Sequence, residues 1–502
     1  MWPLQVMSLP TFSLDHENMA RIPFIGPAYL SRSLNMNAQR CVNLYPEMDQ
    51  TGKNVFALYG TPGLTLKVTV GSGPIRALYA GETYLYAVSG NTVYYIDTSW
   101  VATALSGTLN TSTGTVAIDE NTTQLILADG GDIYTSTLPT GAITAVSDPD
   151  VPASPSRVTV LDGYAITDNV GTGKFYISSV NDATAWDALD FATAEGAPDD
   201  ILSVLADHRE LWLFGVKTTE VWYNSGNSDF PFERIQGAFI EQGCAAKHSV
   251  AKMDNAVFWL SGSDRGDCIV YKALGYQPKR ISTHAVEYAI SNYATISDAI
   301  GWTYEEEGHA FYVLTFPTGN ATWVYDAATE LWHERAYMNQ ATSVLGRHRA
   351  NAHAYFNRAH AVGDFENGKI YQQDLDVYAD NSDYIKRLRA APVIADKSDL
   401  NTIFHHRLQI DMETGVGLVS GQGSDPQVIM RYSNDSGHTW SNEIWGSAGL
   451  YTGGGGNLGE FGRRVIYRRL GRGRNRVYEV SMTDPVKCVL IGAHLHASGG
   501  AA

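Results

Sequence analysis

The chain has 502 residues, with 53 Asp and Glu against 36 Lys and Arg, for a formal charge of −17. That length exceeds one ordinary hydrophobic core and implies two to four domains. The acidic balance excludes a general nucleic-acid coat, because most of the surface would repel phosphates, but it allows a duplex to slide through an acidic channel without sticking.

Glycine (48), Tyr (28) and Trp (11) are abundant, which suits short strands joined by tight turns better than long helices. Cys41, Cys244, Cys268 and Cys488 are too widely spaced for a disulfide framework or a C-x-x-C motif, so buried free thiols are expected. The opening MWPLQVMSLPTFSLDHENMARIPF is broken by Pro3, Pro10, Asp15 and Glu17 and does not read as a secretory leader. No apolar run reaches the roughly 18 residues of a membrane-spanning helix. Residues 1–63 are expected to be an extended segment lending strands to a second domain, with a short strand in RCVNLYPE ahead of Pro46.

Residues 64–379 carry a repeated rhythm. Units begin at Ile75, Gly114, Ser156, Ile201, Ser249, Asp298 and Arg349, and IRALYAGETYLYAVSGNTVYYID shows the pattern: three short strands separated by polar or Gly turns. Starts about 40 to 50 residues apart match the blades of a β-propeller, whose small sheets bury their faces only against neighbours. An irregular propeller of six or seven blades is expected; paired sandwiches would not repeat strand triplets at one period. SDPDVPASPSR, 147–157, reads as a loop between blades, since Pro152 and Pro155 cannot donate to a ladder. Residues 380–406 read as a linker with one helical turn ending before Pro392, and 407–502 alternate like an antiparallel β-sandwich. The fold class is therefore all-β: a propeller followed by a sandwich.

Within RYSNDSGHTWSNE, the residues Ser433, Asp435, Gly437, Thr439 and Trp440 fit a Ser-x-Asp-x-Gly-x-Thr-Trp pattern that resembles the Asp-box of sialidases. Its chemistry is that of a turn: short polar side chains accept backbone N–H groups, Gly supplies an unhindered position, and Trp packs the hairpin down. Sialidase catalysis would also need an arginine cluster, a Tyr–Glu nucleophile and an acid, and this motif supplies none of them. Other glycosidase chemistry needs two carboxylates facing across a cleft. Glu305–Glu307 and Asp199–Asp200 read instead as solvated turns. His405 and His406 alternate across a strand, and His494 and His496 are two candidate ligands without a third. Arg265-Gly266-Asp267 spells an adhesion tripeptide that a turn produces by chance. No catalytic residue, cofactor or metal site is expected.

One charge feature stands out. Arg463, Arg464, Arg468, Arg469, Arg472, Arg474 and Arg476 crowd into one short stretch of an acidic chain. Such a cluster can pair with acidic surfaces of neighbouring subunits, line a solvated hairpin, or contact DNA phosphates.

NAQRCVNLYPEMDQTGKNVFALYGTPGL and GPIRALYAGETYLYAVSGNTVY near the start, with VIMRYSNDSGHTWSNE and GRRVIYRRLGRGRNRVYEVSMTDPVKCVLIGA near the end, resemble the tail hub or nozzle proteins of short-tailed (podovirus-type) bacteriophages, also called packaged-DNA stabilisation proteins. The resemblance implies a non-enzymatic structural protein of the virion tail, made in the bacterial host cytoplasm. It implies a homohexameric ring beneath the portal adaptor that closes the channel after packaging and conducts DNA at ejection without sequence-specific binding. It also implies docking surfaces for a tail needle or plug and for tailspikes or fibres, and transient contact with the host envelope. The alternative is a glycan-binding or glycan-hydrolysing propeller of sialidase type, which would expose aromatic side chains such as Trp222 and Tyr223.

Overall fold

The computed structural model describes residues 19–48, 55–194, 196–262, 268–396, 401–451 and 459–500. The Arg265–Asp267 tripeptide lies outside these residues.

Seven four-stranded antiparallel meanders follow one another along the described chain. Five are independent sheets, over Ile75–Ala104, Ala117–Ala145, Val158–Thr193, Ile201–Ile240 and Ala251–Arg280. The sixth runs over Ile300–Met338. The seventh, Ala350–Asp374, supplies three strands and takes its fourth from Gly63–Thr69, which pairs antiparallel with Lys369–Asp374. The innermost strands of all seven line one central cavity, so the blades form a closed ring. The ring is sealed because the outer strand of the last blade comes from the chain segment that precedes the first.

Hydrophobic clusters occupy the blade-to-blade interfaces. Leu205, Trp212 and Phe214 of the fourth blade meet Val250, Val257 and Trp259 of the fifth. Leu161, Ile166 and Phe175 of the third meet Val204, Leu213 and Trp222 of the fourth. Each small sheet has two apolar faces, and stacking buries both. A helix, His284–Ser291, links the fifth and sixth blades. Thr283 caps its N-terminus, and Val286 and Ile290 are buried. Sequence periodicity does not single it out, because eight residues span barely two turns.

Two sheets form the sandwich. One has the strand order Leu44–Met48, Phe56–Gly60, Val489–Gly499, Ile403–Met412, Val465–Arg468. In the other, the order is Ala38–Val42, Arg387–Ala390, Val477–Met482, Gln427–Ser433, Ile444–Ser447. Leu408, Ile410 and Met412 of the first sheet pack against Met430, Val480 and Met482 of the second. The same core continues into the propeller through Phe258, Tyr312 and Trp332.

The junction between the two bodies is tightly bonded. Val42 pairs in parallel with Glu334 of the sixth blade, and Arg40 holds the Glu334 carboxylate with two hydrogen bonds of 3.1 and 2.6 Å. Asn43 takes a left-handed φ of 53° and is buried. Its amide donates to the Ala336 carbonyl (2.8 Å) and the Lys386 carbonyl (2.9 Å), and accepts from the Ala336 N–H (2.9 Å). Asn is among the few residues that occupy this conformation without strong strain.

The segment 380–406 corrects the expectation of a linker with a helical turn. Arg387–Ala390 is a fully buried strand between Ala38–Val42 and Val477–Met482. Its two arginines hid it from a pattern that assigns charge to the surface. Arg389 has no exposed area, and its guanidinium donates to the carbonyls of Phe24 (2.6 Å), Pro27 (2.8 Å) and Arg40 (3.2 Å) and to Gln39 Oε1 (2.5 Å). Burial pushes it down to about 10, still charged at neutral pH. Carbonyl dipoles of the N-terminal segment stand where a carboxylate would ordinarily be.

Candidate functional site

The arginine-rich stretch forms the free margin of the first sandwich sheet. Val465–Arg468 pairs with Arg407–Ile410, and Arg472–Gly473 with Ile403–Phe404. Between them Arg469 and Gly471 adopt left-handed φ values of 60° and 72°. The strand opposite answers with a register shift between His405 and Arg407, the two-against-one geometry of a β-bulge. His405 turns into the core, while His406 faces outward with its ring 5.1 Å from that of His496. Register places Arg468, Arg407 and His496 in one row across three strands.

Together Phe404, His406, Arg407, Arg468, Arg469, Arg472 and His496 surround an open cavity of about 780 Å³. Arg463, Arg464, Arg468, Arg469, Arg472 and Arg474 are exposed. Among the described residues only Arg463 of these six has a carboxylate partner, Glu460 at 2.9 Å. Arg464 and Arg474 lie outside the cavity wall.

Arg476 departs from the expectation of an outward-facing contact residue. It has no exposed area, and it donates to Asn434 Oδ1 (2.8 Å) and to the carbonyls of Leu470 (2.6 Å) and Arg472 (3.0 Å). Its guanidinium lies 4.2 Å from the Tyr432 ring centre. Burial and the Arg476 charge push His405 down to about 3, so it is neutral and shares a hydrogen bond of 2.9 Å with the Tyr478 hydroxyl. Arg476 thus holds the loop that presents Arg472, from underneath.

The Asp-box residues sit against this loop. Asp435 Oδ1 accepts from the Ser433 hydroxyl (2.6 Å) and the Thr439 N–H (2.8 Å), and Oδ2 accepts from the Thr439 hydroxyl (2.6 Å). The Gly437 N–H donates to Ser433 Oγ at 2.7 Å, with Gly437 at a φ of 102°. These hydrogen bonds, from Ser433 first and then Thr439, hold the Asp435 carboxyl well below the usual range. Trp440 packs on Ala38, Ala390 and Val477, with Arg431 4.8 Å over its ring. Asp435 forms a bridge with Asn475, and Asn434 receives the Arg476 guanidinium. Turn and arginine loop are one bonded unit, a contact that spacing along the chain does not reveal.

The propeller's axial cavity, about 500 Å³, is lined by Arg76, Asp119, Arg157, His248, Lys252, Trp302 and His353 among others. Arg157 is spent on protein groups: Ser203 Oγ (3.3 Å) and the carbonyls of Lys247 (3.2 Å) and Val250 (3.1 Å). Burial lowers His248 and His353 to about 3, so both are neutral. Glu306 and Asp380 are each pushed up to about 7 by burial, and they belong to a packed polar cluster around Arg335 and Arg387. Trp222 turns inward and donates to Glu220 at 3.0 Å, leaving Tyr223 alone exposed at that place. All four cysteines are buried. Among the described residues no group of three or more His, Cys, Asp or Glu side chains is placed to hold a metal ion.

None of the curated proteins matches the chain. Solved structures with some likeness include the N-terminal domain of Nup159 (9% identity, 67% of this chain and 98% of that one, TM-score 0.41). The computationally designed Ika8 protein follows, at 13% identity, 67% and 100% coverage and a TM-score of 0.36. PorZ of Porphyromonas gingivalis reaches 12% identity, 63% and 38% coverage and a TM-score of 0.36. Likeness at this level carries no argument about function. The family models are decisive. Residues 20–378 match the model described as Bacteriophage P22 Gp10, beta-propeller, and residues 387–498 match Bacteriophage P22 Gp10, beta-sandwich. The two matches meet where the propeller meets the sandwich, and the chain belongs to the Bacteriophage P22 Gp10 family, as a structural subunit of the tail hub in a phage virion.

Proposed function

We propose that this chain assembles as a homohexameric ring beneath the portal adaptor, closes the head after packaging, and conducts the genome outward at ejection. The observation that carries the reading is family membership across both domains. In this arrangement the sandwich, with strands from residues 19–63, surrounds the channel, and the propeller faces outward to offer surfaces to tailspikes or fibres. A needle or plug closes the distal end, and contact with the host envelope is transient.

Double-stranded DNA passes without sequence-specific binding, consistent with an overall charge of −17 that disfavours adhesion to phosphates. The exposed arginines Arg463, Arg464, Arg468, Arg469, Arg472 and Arg474 meet a neighbouring subunit. Imaging of tail assemblies and native mass spectrometry with adaptor rings test the reading. The expected species is a six-fold ring of 54.8 kDa subunits bound to the adaptor. A chain that never binds adaptor rings, or that hydrolyses sialosides as a monomer, would refute it.

A further inference from the structure

The first sandwich sheet ends in two margins of opposite charge. On one side stand Arg407, Arg468, Arg469 and Arg472 with His406 and His496, around the open cavity. The strand at the other margin is Leu44–Met48, whose Tyr45 packs on the sixth blade while Glu47 stays half-buried and Met48 exposed. Beside it the tip of the Ile300–Phe316 hairpin brings the exposed Glu307, and the sandwich contributes Glu413.

Their proximity is set by the rings between them: the Tyr45 ring centre lies 5.2 Å from that of His309, which pairs with Glu306 at the hairpin tip, and 6.1 Å from that of Tyr59. After burial, Tyr304 and then the charges of Glu47, Glu307 and Glu306 weaken the acidity of Tyr45, and those of Glu47, Glu413 and Glu307, opposed by Lys487, weaken that of Tyr59. Lys487 answers Glu413 at 3.1 Å, but among the described residues Glu47 and Glu307 have no salt-bridge partner.

We propose that the arginine margin of one copy seats against the Glu47–Glu307 margin of the next, joining copies head to tail. The inference rests on the ring reading and names the two surfaces that make it. Both halves of the complementary pair belong to one chain and lie on opposite margins of one sheet. A single operation therefore satisfies every copy, and such a heterologous contact closes into a ring when its rotation permits. DNA would satisfy only the arginine margin. A second copy satisfies both. Arg476 and the Asp435 turn then have a defined task, which is to hold Arg469–Arg472 in the presenting conformation.

The test is reversal of charge. One variant carries R468E, R469E and R472E, and the other carries E47K and E307K. Self-association of the full chain is followed by sedimentation velocity at low and high salt, with circular dichroism checking the fold. Each variant alone should associate at least about tenfold more weakly than wild type. A one-to-one mixture of the two should recover association, as should a chain bearing all five reversals, and this recovery excludes misfolding as the cause. Variants that assemble like wild type would overturn the inference and leave the ring reading standing. Unchanged assembly with lost binding of a labelled duplex would make the arginine margin a phosphate site instead. A wild-type chain that stays monomeric even with adaptor rings present would overturn the ring reading itself.

Discussion

Arg389 offers the sharpest test of how the N-terminal segment is held. Its guanidinium reaches four acceptors, three of them backbone carbonyls of Phe24, Pro27 and Arg40. Arg389→Met keeps most of the apolar stem and removes every donor. Hydrogen bonds from a charged donor contribute about 1.5–3 kcal/mol each, and a buried acceptor left unpaired loses a similar amount. The desolvation of the guanidinium, several kcal/mol, is recovered at the same time. With at least two carbonyls orphaned, the net loss comes to about 3–4 kcal/mol. That loss falls on the segment 19–48 rather than on the propeller, which supplies none of the four acceptors. Hydrogen exchange followed by mass spectrometry reads it directly. Peptides covering Ala20–Ile22 and Ala38–Val42 should exchange roughly 100- to 1,000-fold faster, while the blade peptides stay at wild-type rates. Wild-type protection in those two strands would refute the argument that Arg389 anchors them.

Three further outcomes follow from the same geometry. Asn43→Ala loses three buried hydrogen bonds and a residue suited to φ 53°, at about 2–4 kcal/mol; calorimetry should then resolve separate propeller and sandwich transitions that overlap in wild type. Asp435→Ala removes three acceptor contacts in a solvated turn, about 1 kcal/mol at pH 7. Because the folded carboxyl lies below its unfolded value of about 3.9, this stability is present above that pH and is lost as pH falls through the folded value, so the gap to wild type should narrow below about pH 4. Asp380 shows the opposite sign: burial raises it to about 7, so its neutral form is favoured and stability declines as pH rises from about 4 to 7. Asp380→Asn should melt higher than wild type at pH 8 and alongside it at pH 4; an equal offset at both would contradict the reasoning.

The blade rhythm was legible because it is an apolar pattern: IRALYA, LYAVS and TVYYI become the strands Ile75–Ala80, Leu85–Ser89 and Thr92–Ile96 of one sheet. The period did not reveal where the ring closes, since the fourth strand of the last blade, Gly63–Thr69, lies before the first unit. Charged residues were the main source of error. Arg387 and Arg389 fell in an expected linker and Arg476 in the arginine cluster expected to face outward, yet each is at most 1% exposed because backbone carbonyls surround it. Only folding brings those carbonyls together from distant parts of the chain. The same holds for the Asp-box, whose internal turn chemistry was readable from spacing and whose bond to the arginine loop was not.

The strand Gly63–Thr69 also sets an order of events during synthesis. It emerges from the ribosome early, but its partner Lys369–Asp374 follows about three hundred residues later. Ala38–Val42 likewise waits for Arg387–Ala390, and Phe56–Gly60 waits for Val489–Gly499. Until residues 369–374 are synthesised the nascent chain carries a propeller open at one seam, and until Val489–Gly499 follows it carries unpaired strand edges at its leading end. The propeller therefore closes first, and the sandwich is complete only when Val489–Gly499 arrives more than a hundred residues later. The closing strand acts as a length check on the polypeptide before it can join a tail.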